Sequence, residues 1–368
     1  MLEGAWDGCF SRRKNVAEKR RGIRVAINGF GRIGKMTLRA LLARNMHDQI
    51  DVVAINELAL IDEAAQLFRL DTAHGRFPGM VEVHGATPPE RGVLRVNGSD
   101  IFYLSEPDPA KLPWYDLGID IVLDCTGRFV AAESAGAHLQ AGARRVIISA
   151  PAKGVPLIVY GVNDDIYCPD MRIVSNASCT TNCAAPIAKV IKDAFGIRHA
   201  NLLTVHAATA GQNSVDGTPP GRKGGDLRLA RATIGNMIPT KTGAAKSVGD
   251  VLPDLKGKFD GVSLRVPTVD GSFCYCTFDG ELATTVECVI EELRAAEVLD
   301  SYHGVLMVSD EPLVSSDIIN DPHSAIVDAG FTRVIGDRQI VVSAWYDNEW
   351  GYANRMVDMA LHVVGSTL

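Results

Sequence analysis

The sequence has 368 residues, of which 46% are hydrophobic, and its formal net charge is −7 at pH 7. A chain of this length can bury sizeable cores and is expected to form about two domains. The negative net charge provides no basic field that would attract nucleic acid or anionic membranes. No apolar run approaches the ~18 residues that span a bilayer, so we predict neither nucleic-acid nor membrane partners.

Residues 1–22 differ from the rest of the chain. Basic residues crowd this segment, which lacks both an apolar stretch and helical amphipathicity: Arg12, Arg13, Lys14, Lys19, Arg20 and Arg21. The segment is therefore not a secretory signal, and we predict a disordered N-terminal extension. Organellar targeting stays open as an alternative, although three acidic residues weaken it.

The eight cysteines show no regular spacing, which is typical of a reducing compartment and indicates a cytoplasmic protein. Cys179 and Cys183 form a C-x3-C pair, and Cys274 and Cys276 form a C-x-C pair. Neither pair has the further ligands that would complete a zinc site, so we predict no metal.

The first predicted strand, residues 24–28, leads directly into Gly29-Phe30-Gly31-Arg32-Ile33-Gly34, and a helical leucine stripe follows. This is the G-x-G-x-x-G pattern in a strand–turn–helix context, where backbone N–H groups can approach a pyrophosphate. A second predicted strand, residues 52–56, ends at Glu57. A carboxylate there can accept both ribose hydroxyls of NAD and repel the extra phosphate of NADP.

Further predicted strands, residues 119–125 and 146–150, alternate with a helical stretch at 131–141. This alternation predicts an α/β fold with a Rossmann-type, doubly wound parallel sheet. Ligands of such sheets bind beyond the carboxyl ends of the strands. The candidate cofactor residues at those ends are Gly29, Glu57, Thr126 with Gly127, and Ser149.

A strand ending near residue 174 is followed by S-N-A-S-C-T-T-N-C and then by apolar residues at helical spacing. Ser178 is a candidate N-cap, and Cys179 lies at the helix start, where the positive end of the dipole favours a thiolate. Such a thiolate could attack a carbonyl carbon. A small buried cysteine at a helix start is the alternative.

The strand at residues 201–205 ends in His206, in the same half of the chain as Cys179, as a catalytic Cys–His pair requires. Glycines and prolines make residues 213–225 a long irregular loop, a type of segment that is often functional. Residues 240–245 and 264–268 add hydroxyls, a glycine and an arginine.

Taken in order, these motifs resemble the phosphorylating glyceraldehyde-3-phosphate dehydrogenases. They are I-N-G-F-G-R-I-G, S-N-A-S-C-T-T-N-C, T-V-H-A, T-G-A-A-K, R-V-P-T and W-Y-D-N-E. The resemblance implies a Rossmann-type NAD-binding domain (23–178), an α+β catalytic domain (179–346) and a C-terminal helix (347–368) packing back on the first domain. It also implies a homotetramer that acts in glycolysis or gluconeogenesis.

The resemblance further implies a role for each matching residue. Cys179 would attack the aldehyde of glyceraldehyde 3-phosphate, and His206 would act as its base. Inorganic phosphate would then release the thioester as 1,3-bisphosphoglycerate. The implied binding residues are Ser178, Thr180, Thr242 and Gly243 for inorganic phosphate; Thr209 and Arg265 for the substrate phosphate, with Arg228 nearby; Asn348 and Tyr352 for the nicotinamide; and Gly31, Arg32, Ile33 and Glu57 for the rest of NAD.

Four departures from the family pattern stand out. Gly211 occupies a position where a second phosphate-binding threonine is common, and the 213–225 loop is longer than usual. The family pattern V-P-T-x-N-V-S is replaced here by V-P-T-V-D-G-S at residues 266–272. This places Asp270 and Gly271 in a strand that we expect to take part in subunit assembly. Glu57 replaces the commoner aspartate. We therefore expect changes near the cofactor and at a subunit interface.

Two alternative functions remain. Erythrose-4-phosphate dehydrogenases, which yield 4-phosphoerythronate, have similar sequences at 56–59, 321–328 and 348–351, but they tend to lose the phosphate pattern that Thr209, Thr242 and Gly243 keep. A non-enzymatic binding protein with a vestigial site is the other, and the intact Cys179 and His206 argue against it. We predict the triose enzyme.

Overall fold

A computed structural model describes residues 22–87, 91–218 and 226–365. The predicted N-terminal extension, apart from Gly22, and the end of the 213–225 loop lie outside these ranges. Across the described residues, no helix combines the length and the apolar character needed to cross a membrane.

The first half of the chain alternates strands and helices. Its strands are β1 (Ile23–Asn28), β2 (Ile50–Asn56), β3 (Leu70–Asp71), β4 (Gly75–Arg76), β5 (Val81–Thr87), β6 (Arg91–Val96), β7 (Ser99–Leu104), β8 (Ile121–Asp124), β9 (Arg145–Ile148) and β10 (Ile173–Ser175), and its helices are α1 (Arg32–Ala43), α2 (Ile61–Arg69) and α3 (Ala132–Gln140).

Eight of these strands form one sheet in the order β10-β9-β8-β1-β2-β7-β6-β5, and β3 pairs with β4 separately. The strands from β10 to β7 run parallel, whereas β6 and β5 are antiparallel additions. Val25, Ala26 and Ile27 of the central strand are fully buried. This continuous apolar run is typical of a parallel strand covered on both faces, and the predicted doubly wound sheet is confirmed.

The second half forms a mixed sheet with helices. Its elements are α4 (Cys179–Phe195), β11 (His199–His206), β12 (Ile238–Lys241), α5 (Ala244–Val251), β13 (Phe259–Arg265), β14 (Ser272–Asp279), α6 (Val286–Glu297), β15 (Leu306–Ser309), β16 (Ala325–Asp328), β17 (Arg333–Ile335), β18 (Gln339–Tyr346) and α7 (Trp350–Gly365). The strand order is β12-β13-β11-β14-β18-β16-β15, with β17 paired to β18.

Burial along β11 alternates, as expected for a strand covered on one face only. Ala200 and Leu202 are buried, while His199 and Asn201 are exposed. Helix α4 packs on the covered face through its own buried apolar residues. Cys179, the first residue of α4, therefore lies where the parallel sheet gives way to the mixed sheet.

The closing helix α7 returns to the first half of the chain. Its residues Met356, Val357 and Ala360 are fully buried in one apolar cluster with Met36 and Ala40 of α1. This packing brings the segment just before α7, residues 347–349, close to the glycine turn that precedes α1.

One expectation about the chain path is wrong. Asp270 and Gly271 do not lie in a strand, because β14 begins only at Ser272. Gly271 has φ +85°, a left-handed conformation that interrupts extended backbone. A Cβ at this position would also come within 2.2 Å of the Ser315 carbonyl oxygen. The two residues therefore form a tight turn that aims Asp270 into the protein.

Candidate active site

Cys179 is held at the start of α4 by its immediate neighbours. Ser178 is the N-cap, and its Oγ accepts a 3.1 Å hydrogen bond from the Thr181 N–H, so the predicted cap is confirmed. Ala177 has a left-handed φ of +55° although it carries a side chain. Tyr352 Oη donates to the Ala177 carbonyl over 2.9 Å. A strained residue held by a buried tyrosine thus presents the cysteine.

The structure brings Cys179 and His206 together. The sulfur lies 3.5 Å from His206 Nε2. His206 is the last residue of β11, and it is in register with Arg265, the last residue of the parallel neighbour β13. Because both strands end at the same edge, the imidazole and the guanidinium meet beside the sulfur.

Two groups compete for the other ring nitrogen of His206. The Ala207 carbonyl oxygen lies 2.8 Å from Nδ1, a contact that requires a proton on Nδ1. Arg265 Nη1 lies 2.6 Å from the same atom and can only donate. With the proton on Nδ1, the Nε2 lone pair faces Cys179 and can accept the thiol proton. A substrate group that draws Arg265 away from Nδ1 therefore favours the base form of His206.

The charge state of this pair differs from the expected thiolate. Burial raises the pKa of the Cys179 thiol, although the positive charge of Arg265 and hydrogen bonds from Thr180 act in the opposite direction. Burial and, next, the charge of Arg265 lower the pKa of His206 to about 3. Desolvation disfavours both charged forms, and the positive end of the helix dipole does not outweigh it here. Both shifts favour the neutral forms, a thiol at Cys179 and an uncharged imidazole at His206.

The predicted phosphate-binding residues lie in different settings. Thr242 and Gly243 precede α5, where Thr242 Oγ1 accepts from the Ala244 N–H over 3.1 Å and Gly243 is the N-cap. Thr180 is buried, and its hydroxyl lies 2.9 Å from Tyr346 Oη. Such a helix start offers backbone donors to an anion.

Two further predicted phosphate ligands are on exposed segments. The Arg228 guanidinium lies in a short 3₁₀ turn and forms a salt bridge with Asp226 at 2.9 Å. The Thr209 N–H donates to Gln212 Oε1 over 3.0 Å. A Cβ added to nearby Gly211 would have only Thr209 Oγ1 within 4 Å, so a larger residue would fit there. Steric crowding therefore does not require a glycine at position 211.

A cleft of about 260 Å³ lies beyond the carboxyl ends of the parallel strands. It is lined by Asn28, Gly29, Gly31, Asn56, Glu57, Leu58, Glu106, Pro107, Cys125, Thr126, Arg128 and Phe129. Gly29 has φ +87°, and a Cβ on Gly34 would lie 2.1 Å from the Gly29 carbonyl oxygen. The first and third glycines are therefore required by the turn and by close helix packing.

Glu57 reaches the glycine turn with its side chain. Its Oε2 accepts from the Phe30 N–H over 2.7 Å, and its Oε1 accepts from the Leu58 N–H over 2.7 Å. The carboxylate is thus fixed at the cleft wall as an acceptor. Gly31, the N-cap of α1, has no side chain to occupy the helix N–H groups. A carboxylate acceptor beside an uncapped helix start fits the ribose and the pyrophosphate of a dinucleotide.

The side chain of Arg32 does not point at this cleft. Its guanidinium hydrogen bonds with the carboxylates of Asp71 and Glu349, with Nε lying 2.8 Å from Glu349 Oε1. The implied contact of Arg32 with the cofactor is therefore limited to its backbone in this arrangement. The neighbouring Ile33 packs against the apolar cluster between α1 and α7.

The remaining cofactor candidates follow β8 and β9. Asp124 Oδ1 accepts hydrogen bonds from both the amide and the hydroxyl of Thr126, over 3.0 and 2.7 Å. Gly127 has φ +64°, and the Ser149 N–H donates to the Asp124 carbonyl. The buried His138 contacts the other carboxylate oxygen of Asp124, with Nε2 3.1 Å from Oδ2. His138 was not found from the sequence, because no local pattern marks it.

Ser272 is a second residue that the sequence reasoning missed. Its hydroxyl donates to Asn348 Oδ1 over 2.6 Å and accepts from the Ala207 N–H over 3.0 Å. Because the amide oxygen of Asn348 is taken, its NH₂ group is left to face a ligand. Ser272 thus connects the predicted nicotinamide residue to the backbone next to His206. Its position at the end of V-P-T-V-D-G-S was the only available signal.

Family models match both halves of the chain. Residues 23–132 match "Glyceraldehyde 3-phosphate dehydrogenase, NAD binding domain", and residues 178–348 match "Glyceraldehyde 3-phosphate dehydrogenase, C-terminal domain". The chain belongs to the glyceraldehyde-3-phosphate dehydrogenase family. The match to the NAD-binding model agrees with the cleft around Gly29 and Glu57, and NAD is the cofactor of this family.

Relatives of the family span nearly the whole chain. A glyceraldehyde-3-phosphate dehydrogenase of Kitasatospora aureofaciens is 50% identical over 345 residues, which covers 91% of this chain and 97% of the relative. One of Zymomonas mobilis is 47% identical over 340 residues, with 92% and 97% covered. A relative of Gracilaria gracilis described as cytosolic is 45% identical over 340 residues, again with 92% and 97% covered.

Proposed function

We propose that this protein catalyses the NAD-dependent oxidative phosphorylation of D-glyceraldehyde 3-phosphate to 1,3-bisphosphoglycerate. The observation that carries the proposal is the Cys179 sulfur at the start of α4, 3.5 Å from His206 Nε2 and close to Arg265. A nucleophile at a helix start, with a base and an anion-binding cation at the ends of two adjacent strands beside it, provides what an acyl transfer from a phosphorylated aldehyde requires.

In the proposed first step, His206 Nε2 accepts the Cys179 proton and the sulfur forms a bond to the aldehyde carbon. The proton then passes to the carbonyl oxygen, which gives a thiohemiacetal. Arg265 binds the substrate phosphate and moves away from Nδ1, so the Ala207 carbonyl can hold the proton there. Substrate binding itself would thereby convert His206 into the base.

In the second step His206 accepts the hydroxyl proton of the thiohemiacetal, and the oxidised carbon becomes a thioester of Cys179. NAD, when bound, supplies the hydride acceptor. Asn348, held by Ser272, would orient the nicotinamide carboxamide, and Glu57 would accept from the ribose hydroxyls. A carboxylate at that point favours NAD over NADP.

Inorganic phosphate releases the product in the third step. Its oxygen attacks the thioester carbon, the C–S bond breaks, and the Cys179 thiolate is regenerated together with an acyl phosphate. We propose that Ser178, Thr180, Thr242 and Gly243 bind this phosphate, and that Thr209 and Arg228 complete the two anion sites. The start of α5 contributes further backbone donors.

We also propose a homotetramer. Large apolar side chains are exposed together on the segment before β12, where Leu227, Ile234 and Met237 are each at least 70% exposed. Val262 of β13 and Tyr275 of β14 add apolar surface on the open side of the mixed sheet. Several large apolar side chains exposed on one segment support a protein interface there.

Two further proposals concern the domain limits and the location in the cell. We propose domain limits of 23–178 and 179–346, with residues 347–368 returning to the first domain. We propose a cytoplasmic location, in line with the Gracilaria relative and with the free thiols of the seven described cysteines.

The test is NADH formation by the purified protein, with NAD and saturating aldehyde, with and without inorganic phosphate. We expect strong, phosphate-dependent turnover of glyceraldehyde 3-phosphate and a higher kcat/KM than for erythrose 4-phosphate. A preference for the tetrose with little phosphate dependence would replace our proposal by erythrose-4-phosphate dehydrogenase activity.

The matched variants are Cys179→Ser and Cys183→Ser, two cysteines one helical turn apart. Cys179→Ser should abolish turnover while NAD binding, measured by calorimetry, persists. Cys183→Ser should keep turnover because its buried thiol is one turn further along the helix. Substantial activity in Cys179→Ser would show that the nucleophile is assigned wrongly.

A further inference from the structure

A buried cluster of ligand-type side chains lies behind Asn348, outside the residues that the proposed reaction uses. His74, Asp270 and Asp347 each contribute an atom, and these atoms lie within 4.8 Å of one another. The side chains of His74 and Asp270 are 1% and 0% exposed. The three residues come from three distant parts of the chain, so no local sequence motif predicts the cluster.

The imidazole of His74 is oriented towards the carboxylates. Its Nδ1 lies 2.8 Å from Asn320 Oδ1, an amide oxygen that can only accept, so Nδ1 carries a proton. Nε2 then either carries a second proton, which makes the ring an imidazolium, or presents a lone pair. This nitrogen lies 3.3 Å from Asp270 Oδ2 and 3.1 Å from Glu349 Oε2. Because ionised carboxylate oxygens only accept, these contacts require either an N–H on Nε2 or a metal ion that both sides bind.

Asp270 supplies an oxygen atom without a hydrogen bond. Its Oδ1 accepts from the Gly271 N–H over 2.9 Å, but Oδ2 has no hydrogen-bond partner among the described residues although it is buried. An asparagine of the same shape would have an NH₂ group that could donate to the neighbouring carboxylates. An ionised aspartate offers only acceptors, so its buried Oδ2 needs either a proton or a cation.

The nearby cation Arg32 is already engaged. It binds two carboxylates, Asp71 and Glu349, which together exceed its single charge. Asp347 is fixed by three N–H donors, those of Glu349 and Trp350 to Oδ1 and that of Asn320 to Oδ2. The cluster therefore holds an excess of acceptor oxygens around one imidazole nitrogen.

We propose that His74 Nε2, Asp270 Oδ2 and an Asp347 carboxylate oxygen bind a divalent metal ion, with zinc as the best match. Imidazole and carboxylate ligands suit zinc, and bonds of about 2.0 Å in tetrahedral geometry separate neighbouring ligand atoms by about 3.3 Å. The 3.3 Å between His74 Nε2 and Asp270 Oδ2 has this value. A metal-bound histidine usually donates its other ring N–H to an oxygen acceptor, and His74 Nδ1 is placed to do so with Asn320 Oδ1.

The ion would be structural. It would tie the turn before β14, which carries Asp270, to the start of α7 and to the segment between β3 and β4. The prediction that the protein has no metal rested on cysteine spacing alone. Carboxylates and a histidine separated by about two hundred residues or more could not be recognised by that criterion.

The experiment measures zinc retained by the full chain. Thiols that compete for zinc are first removed by Cys125→Ser, Cys168→Ser, Cys179→Ser and Cys288→Ser, because these four of the described cysteines are not fully buried. The protein is produced in zinc-supplemented medium, desalted exhaustively and analysed by mass spectrometry for metal content. We expect about one zinc per chain.

Asp270→Asn is the deciding variant, because it keeps the shape of the side chain and adds a donor that satisfies the carboxylates. Asp260→Asn, an exposed aspartate on β13, is the matched control. Asp270→Asn should lower zinc retention at least tenfold and abolish the rise in Tm that zinc produces in the parent, whereas Asp260→Asn should leave both unchanged. Cobalt substitution should give visible absorption bands that disappear in Asp270→Asn.

Three results would each overturn the proposal. They are zinc far below one ion per chain in the parent, equal zinc in the two aspartate variants, and a Tm that does not respond to zinc. In any of these cases the cluster shares a proton instead of a metal. A His74→Ala variant that fails to fold would not affect this decision, because Asp270→Asn carries it.

Discussion

The contact between Arg265 and His206 gives the most specific prediction about the reactive pair. The pKa of His206 falls from 6.5 to about 3, because of burial first and the Arg265 charge second. The net shift corresponds to roughly 5 kcal/mol, and the Arg265 charge is the smaller of the two effects that lower the pKa. Arg265→Gln should therefore raise the pKa of His206 by about one to two pH units.

The assay is NMR titration of labelled histidine in a Cys179→Ser background, which removes the neighbouring thiol as a coupled titrating group. The His206 signal is assigned with His206→Asn. Arg231→Gln is the control, because this exposed arginine is paired with Asp216 on the loop. Equal His206 pKa values in Arg265→Gln and Arg231→Gln would refute the electrostatic reasoning.

Substrate binding should act on the same pair. Glycerol 3-phosphate, a non-reactive phosphorylated analogue, should raise the pKa of His206 in Cys179→Ser because its anion offsets the guanidinium charge. It should have no such effect once Arg265 is replaced by glutamine. A response that persists without Arg265 would assign the phosphate to another site.

The same pKa governs acid stability. The unfolded chain binds a proton at His206 below pH 6.5, while the folded chain excludes it until about pH 3. Because only the unfolded chain gains this proton, the free energy of unfolding decreases as the pH falls from 6.5 towards 3. Arg265→Gln should narrow that window, as chemical denaturation at several pH values would show.

Three further variants test the cofactor side. Gly34→Ala should lower the free energy of unfolding by about 1–3 kcal/mol, because its Cβ would lie 2.1 Å from the Gly29 carbonyl oxygen; an unchanged urea midpoint would contradict the packing argument. Glu57→Gln should reduce the ratio of kcat/KM for NAD over NADP about tenfold, a loss of about 1.4 kcal/mol, while exposed Glu63→Gln should leave the ratio unchanged. Ser272→Ala should raise KM for NAD about tenfold, because it removes the hydrogen bond that holds the Asn348 amide. The pH profile of Cys179 alkylation should not move, because Cys179 and His206 keep their contact. A shifted profile would mean that Ser272 acts through His206 instead.

Local patterns were sufficient for much of the site. The strand–glycine turn–helix around Gly29, the cysteine at the start of α4 and the histidine at the end of β11 all follow from short-range rules of strand and helix formation. The same rules predicted that strand ends meet at one edge of the parallel sheet. Resemblance then provided the roles of these residues, which the short-range rules alone did not.

Only the tertiary structure decided the charge state and the connections between distant residues. The helix dipole predicted a thiolate, but burial, which depends on the whole packed interior, reverses that expectation for Cys179. Arg265 meets His206 through the register of two strands, and Ser272 reaches Asn348 from another segment. From the sequence alone Asp270 would be expected on the surface, as most aspartates are. In the structure the turn at Gly271 directs its side chain inward, where it is buried. Contacts between residues far apart in the chain depend on the completed fold, and no local period in the sequence encodes them.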